Sequence, residues 1–480
     1  GVWLLTQTRN SRIYQRTSPT DSSQSVLAGY PYRTEWRVTA SYPLLDYLCQ
    51  YNESDYDFVH RLCAEYGLNY WFEHNEQGHS LIIADHLGAF AVQPSAAFQD
   101  IYVYPPNLKL AQEYIHTFDT AHSLTTGQVT LADYQFKTPQ ATLSATAHNP
   151  WDTRWNECEV YEHSQGDWMD KQGQPQGQLK ANIRQQAHRQ HAVRMNGAGN
   201  LRGLHTGHTF DLHNHPSEVA NRAWIVLATD TTFTEVATEA QTRQAAQFAC
   251  EVNFIVQPDT EQVRPDKVAK PNAALQTATV VGPEGQEVWT DQYGRTKVRF
   301  HWHRDDPANE QSTCWLRCAN TWAGNEYGAS HTPRIGTEVI VDYINGDIDL
   351  PLIVGRLTNP EQMPPWTLPT QYVLSGFRSK ELSGTGNNHL IMDDTTGEIQ
   401  VQLGSSTALS QLNLGYVTRI PDTGGRKDYR GQGLELRTDG YGAIRAGKGL
   451  YITSYGRANA SAHIKDMNDT VGLLKGARST

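Results

Sequence analysis

The chain has 480 residues, and its formal net charge of −11 argues against a nucleic-acid polyanion as its main partner. Hydrophobic residues make up 38%, and no apolar run approaches the ~18 residues that a membrane helix needs. Six cysteines without dense spacing suit a reducing compartment better than a disulfide scaffold, while 23 Tyr, 12 Trp and 38 Gly point to a strand- and turn-rich protein of roughly three or four domains.

The opening "GVWLLTQTRN" lacks the charged n-region and small-residue cleavage site of a signal peptide, and it reads as a strand already under way. Residues 1 to about 120 read as α+β. In "NESDYDFVHRLCAEYG" Ser54 is placed to cap a helix, Asp55 and Asp57 sit in its first turn where the helix dipole favours anions, and Gly67 stops it. Phe58, Val59, Leu62, Cys63 and Tyr66 follow three–four spacing and form its apolar face. "LNYWFEHNEQGHSLIIAD" then reads as a hairpin with its turn at Asn75–Gly78.

The theme recurs over 121–265. Strands come first ("GQVTLADYQF"), followed by a polar stretch from about Gly177 to Arg194 with helical character. "GHTFDLHNHP", "NRAWIVLATDTTFT" and "QFACEVNFIV" read as further strands. "QPDTEQVRPDKVAKPN" is a polar, proline-rich connector and the best domain boundary. Five strand-like runs follow: Glu287–Thr290, Lys297–Trp302, Cys314–Ala319, Glu338–Tyr343 and Leu352–Leu357. Five short strands separated by turns suit a small barrel of OB type.

Beyond residue 361 the character changes to short alternating strands broken by glycine, among them Gly433, Gly440, Gly449 and Gly456. Apolar residues alternate with polar ones at Leu390 and Met392; Ile399, Val401 and Leu403; Leu434 and Leu436; and Leu450 and Ile452. Each such rung buries one face only, so the segment needs stacking or partner chains, and an intertwined β-helix or β-prism of several identical chains is expected. Ile464, Met467, Val471 and Leu474 have the spacing of a short coiled-coil seam, weakened by Gly472.

Candidate chemistry centres on "KVRFHWHRDDPANEQSTCWLRCAN". On a regular strand His301 and His303 share a face, as a metal pair requires, and so do Cys314 and Cys318. Zinc knuckles sit in tight turns, however, whereas these pairs sit in apolar, aromatic runs. The bland reading is rim histidines and barrel-wall cysteines. His205, His208, His213 and His215 match neither HExxH nor a zinc-finger spacing and read as a polar strand face. The acid pairs Asp305–Asp306 and Asp393–Asp394 read as solvated loop tips rather than a glycosidase pair. No G-x-S-x-G elbow, Walker A loop or dinucleotide fingerprint is present, so no catalytic, cofactor-binding or metal residue is assigned and no cofactor is expected. Acidic residues outnumber basic ones in the barrel, against a phosphate-binding funnel.

Five ordered stretches, "ESDYDFVHRLCAEYGLNYWFEH", "TDQYGRTKVRFHWHRD", "CWLRCANTWAGNEYG", "PRIGTEVIVDYINGDIDLPLIVGRLTN" and "GLELRTDGYGAIRAGKGLYITS", resemble the VgrG (Rhs-element Vgr) family, the spike proteins of bacterial type VI secretion. The resemblance covers nearly the whole chain. It implies a mainly β fold with some α: two phage-hub-like α+β barrel lobes (1–120, N-terminally incomplete, and 121–265), an OB-fold spike domain (266–360), and a linker with the start of a trimeric β-helix needle (361–480).

The resemblance further implies a non-enzymatic homotrimer that caps the tail tube and carries effectors into target cells, crossing their membrane mechanically. Its partners would be the hexameric tail-tube protein (Hcp), a PAAR-type tip protein or effector cargo, and baseplate components, with no nucleic acid. It would reside in the bacterial cytoplasm before firing and leave through the type VI apparatus without a signal peptide. The competing reading is a peptidoglycan- or metal-dependent hydrolase of a phage-tail-like spike. The related phage spike carries a lysozyme domain after its OB barrel; here only Asn359 to Phe377 joins barrel to needle, far too short for an enzyme.

Overall fold

The helix Asp55–Tyr66 forms for the reasons its sequence states. The Ser54 hydroxyl accepts from the Asp57 N–H at 3.0 Å, two acids occupy the first turn, and Gly67 closes the helix in the left-handed region at φ 71°. The computed structural model describes residues 2–76, 78–105, 112–119, 122–151, 153, 155–164, 176–236, 247–456, 459, 461 and 463–479. They divide into two compact units, Gly1–Asn359 and Pro360–Thr480.

In the first unit Phe58, Leu62 and Tyr66 pack into one core with Leu81 and Ile83 of the hairpin Asn69–Asn75/Gly78–Ala84, whose outer partner Arg33–Arg37 runs parallel to Gly78–Ala84. Trp3–Thr6, expected as strand, is one turn of helix, and it contributes the buried Leu5 to this core. Burying Leu5 in this core outweighs the strand preference of Val2 and Trp3.

A seven-stranded sheet follows. Its long strands are Met195–Gly199, His208–His213, Ala223–Val236 and Gln247–Pro258, and three short ones come from Ala91–Val92, Asp100–Tyr102 and Ile115–Phe118. A bridge from Val103 to Ile115 closes it on itself around Phe210, Trp224, Val252 and Phe254. The expected division at residue 120 therefore crosses a hydrogen-bonded sheet, because strand pairing joins segments far apart in sequence. The helix Gly177–His191 lies beside a separate sheet of Gln128–Asp133, Leu143–His148 and Glu159–His163, and Ala181 packs against Val129 and Leu131.

The small barrel has five strands: Gln276–Val281, Lys297–Phe300, Arg317–Cys318, Glu338–Tyr343 and Pro351–Arg356. A two-way bridge between Thr296 and Leu316 (N···O 3.0 and 2.8 Å) completes the ring around Val280, Phe300, Leu316 and Val341. Glu287–Thr290 is not the first strand. Gln276–Val281 takes that place, and Glu287 lies in the following loop, where its carbonyl accepts from Ile335 N–H and its carboxylate pairs with Arg334 at 2.8 Å.

The second unit is a meander. Leu374–Arg378, Asn388–Asp393, Gln400–Ser405, Ser410–Thr418 and Tyr429–Arg437 pair antiparallel in chain order. Gly376 takes φ 134°, and a Cβ there would strike the Leu390 carbonyl, so the first two strands approach closely only with glycine at this point. Leu450 and Ile452 lie outside any strand of the single chain. The helix Asn468–Ser479 begins after Ile464 and Met467, so the expected four-residue seam is not one helical stripe.

Two stability predictions follow from the first unit. Leu62, 1% exposed between Phe58 and Tyr66, should cost about 2–5 kcal/mol when replaced by alanine. A denaturation shift worth less than about 0.5 kcal/mol would place it outside the core. Glu65 pairs with Lys180 at 3.2 Å and with Arg184 at 2.5 Å. Burial alone would raise its carboxyl, but Lys180, Arg184 and Lys270 outweigh burial and hold it well below its ordinary value of 4.5. A depressed carboxylate stabilises the fold above its unfolded pKa and loses that stability as pH falls. Glu65→Gln should therefore destabilise by about 3 kcal/mol near neutrality. In urea titrations the wild-type advantage should shrink steadily below pH 4.5.

Candidate functional site

The strand Lys297–Phe300 ends before the two histidines, and the His303 N–H folds back to the Phe300 carbonyl at 3.1 Å. His301 is exposed while His303 is buried with its Nδ1 3.3 Å from Asp306 Oδ2, so the pair does not share a strand face. Burial would raise the Asp306 carboxyl, but hydrogen bonds from His303, Ser312 and the Ala308 N–H hold it below its ordinary value. Asp306 is thus a buried turn anchor, not a solvated loop tip. Asp393 is likewise buried and lies 3.0 Å from the Arg426 guanidinium.

Cys314 and Cys318 pack against the barrel core, where burial pushes their thiols up to about 12 and about 11. The second histidine group also does not converge. His205 and His208 face each other at 5.9 Å near the start of the strand His208–His213. His213 pairs with Asp100 at 2.8 Å, and His215 sits against Phe118 beyond the other end. Among the described residues no three His, Cys, Asp or Glu side chains are grouped to hold a metal ion.

The unusual surface lies on the second unit. Its register sets Phe377, Leu390, Leu403, Leu412 and Leu436 opposite one another across five strands. A second row, Met392, Val401, Leu414 and Leu434, runs beside it on the same face. These rows are largely open to solvent, with Leu403 55%, Leu434 71% and Leu436 67% exposed. The opposite face carries Gln402 and Asn413, 2% and 0% exposed, beside the small core of Trp366, Leu374, Ile391 and Ile420.

Polar groups on that buried face satisfy one another in part. Gln400 Oε1 accepts from the Thr418 N–H at 2.7 Å and from its hydroxyl at 2.8 Å, and Asn413 Nδ2 donates to Glu435 at 2.9 Å. The sheet is inverted relative to an ordinary half-buried one, with polar residues covered and leucines bare. Sequence alternation finds the leucine rows. It misses the buried glutamines, whose only signal is that Gln400 and Gln402 hold the same phase as Asn413 once the strands are paired.

The comparisons agree with this architecture along the chain. Residues 1–237 match a family model described as a phage tail baseplate hub (GPD). Residues 277–357 match the type VI secretion system/phage-baseplate injector OB domain, and residues 380–480 match the putative type VI secretion system Rhs element Vgr. The hub, barrel and C-terminal sheet thus define a spike protein of phage-tail type.

Two relatives are type VI secretion system spike proteins of Pseudomonas aeruginosa. VgrG1b is 34% identical over 406 residues, covering 83% of this chain and 54% of its own. VgrG2a is 33% identical over 474 residues, covering 98% and 55%. The Francisella PdpA–VgrG complex in its lidded form shares the fold at 8% identity, with a TM-score of 0.53 over 91% of this chain and 64% of that one. The chain belongs to the VgrG family of type VI secretion system spike proteins. It spans a little over half the length of the two Pseudomonas relatives.

Elemental analysis of the purified protein should find no stoichiometric zinc. His303→Ala should act on stability, by about 1–3 kcal/mol through the unpaired Asp306, without changing metal content. Stoichiometric zinc lost in that variant would overturn the assignment.

Proposed function

We propose that the chain is a structural, non-enzymatic spike component of the type VI apparatus that works as a homotrimer. The observation that carries this reading is the double leucine row on the C-terminal sheet. Burying a leucine side chain is worth about 1.5–3 kcal/mol, so a free chain forgoes a large stabilisation along the two rows. Three copies that turn these faces to a common axis cover the rows together. They also give the edge strands Leu374–Arg378 and Tyr429–Arg437 neighbours to pair with. Residues beyond Arg437 would then complete the intertwined β-helix needle expected from sequence.

In this reading residues 1–265 form the hub that seats on the hexameric tail tube (Hcp) and baseplate. Residues 266–360 form the OB collar, and residues 361–480 form the base of the needle, which carries a PAAR-type tip or effector. Support for an effector partner is that the Francisella structure is a VgrG in complex with PdpA. The protein would wait in the bacterial cytoplasm and leave through the apparatus. No helix among the described residues is long and apolar enough to cross a membrane. Passage through the target membrane is assigned to mechanical thrust on the family resemblance.

Sedimentation at low micromolar concentration tests the reading. The intact chain should run as three copies, and truncation after Asn359 should shift it toward monomer or a weakly associated trimer. Leu434→Glu with Leu436→Glu alters side chains already exposed in one chain, so it should block assembly while leaving the hub's unfolding transition in place. A monomeric intact chain would sink the proposal.

A further inference from the structure

We propose that the joint between the hairpin Asn69–Asn75/Gly78–Ala84 and the strand His208–His213 is an acid-operated latch, closed at neutral pH and opened by positive charge on His205 and His208. The inference stands on the first unit alone and does not depend on the spike reading.

The joint has a small core of its own. Trp71, Ile82, Ala84 and Ala89, with Phe90 packed against them, form a cluster distinct from the cores around Phe58 and Phe210. Trp71 stacks on Phe90 at 4.7 Å between ring centroids, and its indole occupies the space that a Cβ on Gly207 would need. Gly207 also takes φ 73°, so the contact admits glycine alone. His208 and Thr209 pair with Ala91 and Val92. Gln93 clamps His205, donating to its carbonyl at 2.9 Å and accepting its N–H at 3.1 Å.

Two imidazoles sit in this contact. His208 is 6% exposed, and its Nδ1 lies 3.0 Å from the Thr206 carbonyl. A carbonyl only accepts, so Nδ1 donates and Nε2 is the nitrogen left to take a proton. His205 is half-buried, its ring centroid 5.9 Å from that of His208. Neither the His205 ring nor His208 Nε2 has a hydrogen-bond partner among the described residues. Burial lowers the His205 pKa below its ordinary value of 6.5, and His208 and His74 lower it further. A base held low in this way stabilises the fold above pH 6.5 and gives that stability up as the pH falls below it.

The surrounding charges do not compensate for a proton taken up here. The hairpin brings His74 and Glu73 to the pair. Glu73 commits both oxygens to Arg37, at 2.7 and 2.9 Å, and Arg37 also holds Glu35. Glu73 attracts a charged His208, but among the described residues it hydrogen-bonds neither imidazole. Glu76 and His79, at the hairpin turn, are exposed to water. With His74, His205 and His208 neutral, Glu35 and Glu73 leave the joint one charge negative against Arg37. With all three protonated it is two charges positive, and like charges this close repel. Other histidines are given a carboxylate: His116 has Glu251 at 2.9 Å, and His213 has Asp100 at 2.8 Å. Acid strengthens those pairs and works against this joint.

Hydrogen–deuterium exchange of the intact chain, read by mass spectrometry and corrected for intrinsic rates, tests the latch. Between about pH 7.5 and about pH 5.5, protection over residues 69–75 and 205–213 should fall about tenfold relative to the barrel strand Gln276–Val281. His205→Gln should lessen the fall, and His205→Gln with His208→Gln should remove it. His116→Gln, at a ring that has a carboxylate, should leave it in place. If the double variant does not fold at neutral pH, His205→Gln alone decides, since that ring is half-buried and holds no partner. The latch is overturned if the wild-type chain shows no relative fall, if His205→Gln leaves the fall undiminished, or if a folded double variant keeps it.

Discussion

The first unit depends on one buried network of charge. Glu65, on the helix Asp55–Tyr66, holds Lys180 and Arg184 of the helix Gly177–His191. Lys270 of the connector extends the network to Asp347 and Asp349 of the barrel, at 3.0 and 2.9 Å, and Asp349 also accepts the Cys49 N–H at 2.8 Å. Three segments that sequence reasoning treats as separate domains thus share one set of ions. Charges removed from water are tolerable only when each has its partner in place, so such a network penalises any docking geometry but the native one more sharply than apolar contact would.

The connector is the part most changed by this view. Its composition is that of a flexible linker, yet it is stapled along its length. Arg264 donates to the Gly67 carbonyl at 2.7 Å, to the Asp85 carbonyl at 2.8 Å and to Gln186 at 2.8 Å, while its own N–H reaches Gln190 at 2.9 Å. Asn69 donates to the Val263 carbonyl at 2.5 Å. A guanidinium at the carboxyl end of a helix also meets the negative end of its dipole. A polar, proline-rich run therefore serves as the wedge between the two helices. Proline and charge mark where regular structure stops, and they do not mark where packing stops.

What sequence makes legible here is local. The helix Asp55–Tyr66, its cap, its stop and the following hairpin are visible because every determinant lies within a few residues. Four of the five barrel strands are found for the same reason; Glu338–Tyr343 keeps its expected bounds, and Lys297–Phe300 and Arg317–Cys318 are shorter than expected. The failures are non-local. Glu287–Thr290 has strand composition but is drawn into a loop by Arg334 and Ile335. The short strands between Ala91 and Phe118 join a barrel whose other members begin at Met195, a pairing that no window of sequence contains. Asp306 looks like a loop tip until His303 and Ser312 fold over it.

The C-terminal sheet shows the same limit one level higher. Its five strands pair in register within one chain over a small core of Trp366, Leu374, Ile391 and Ile420. Side-chain burial is not complete in one chain, since the leucine rows are bare while Gln402 and Asn413 are covered. The apolar face of this sheet is thus left to solvent in the single chain. Past Arg437 the balance tips: Leu450 and Ile452 still alternate as strand residues do, but among the described residues no strand forms there. A neighbouring strand is what such a segment lacks, and an identical chain beside it offers one with matching alternation and matching glycine spacing. In the proposed trimer this periodicity would be that of the assembled needle, whereas among the described residues of the single chain strand pairing ends at Arg437.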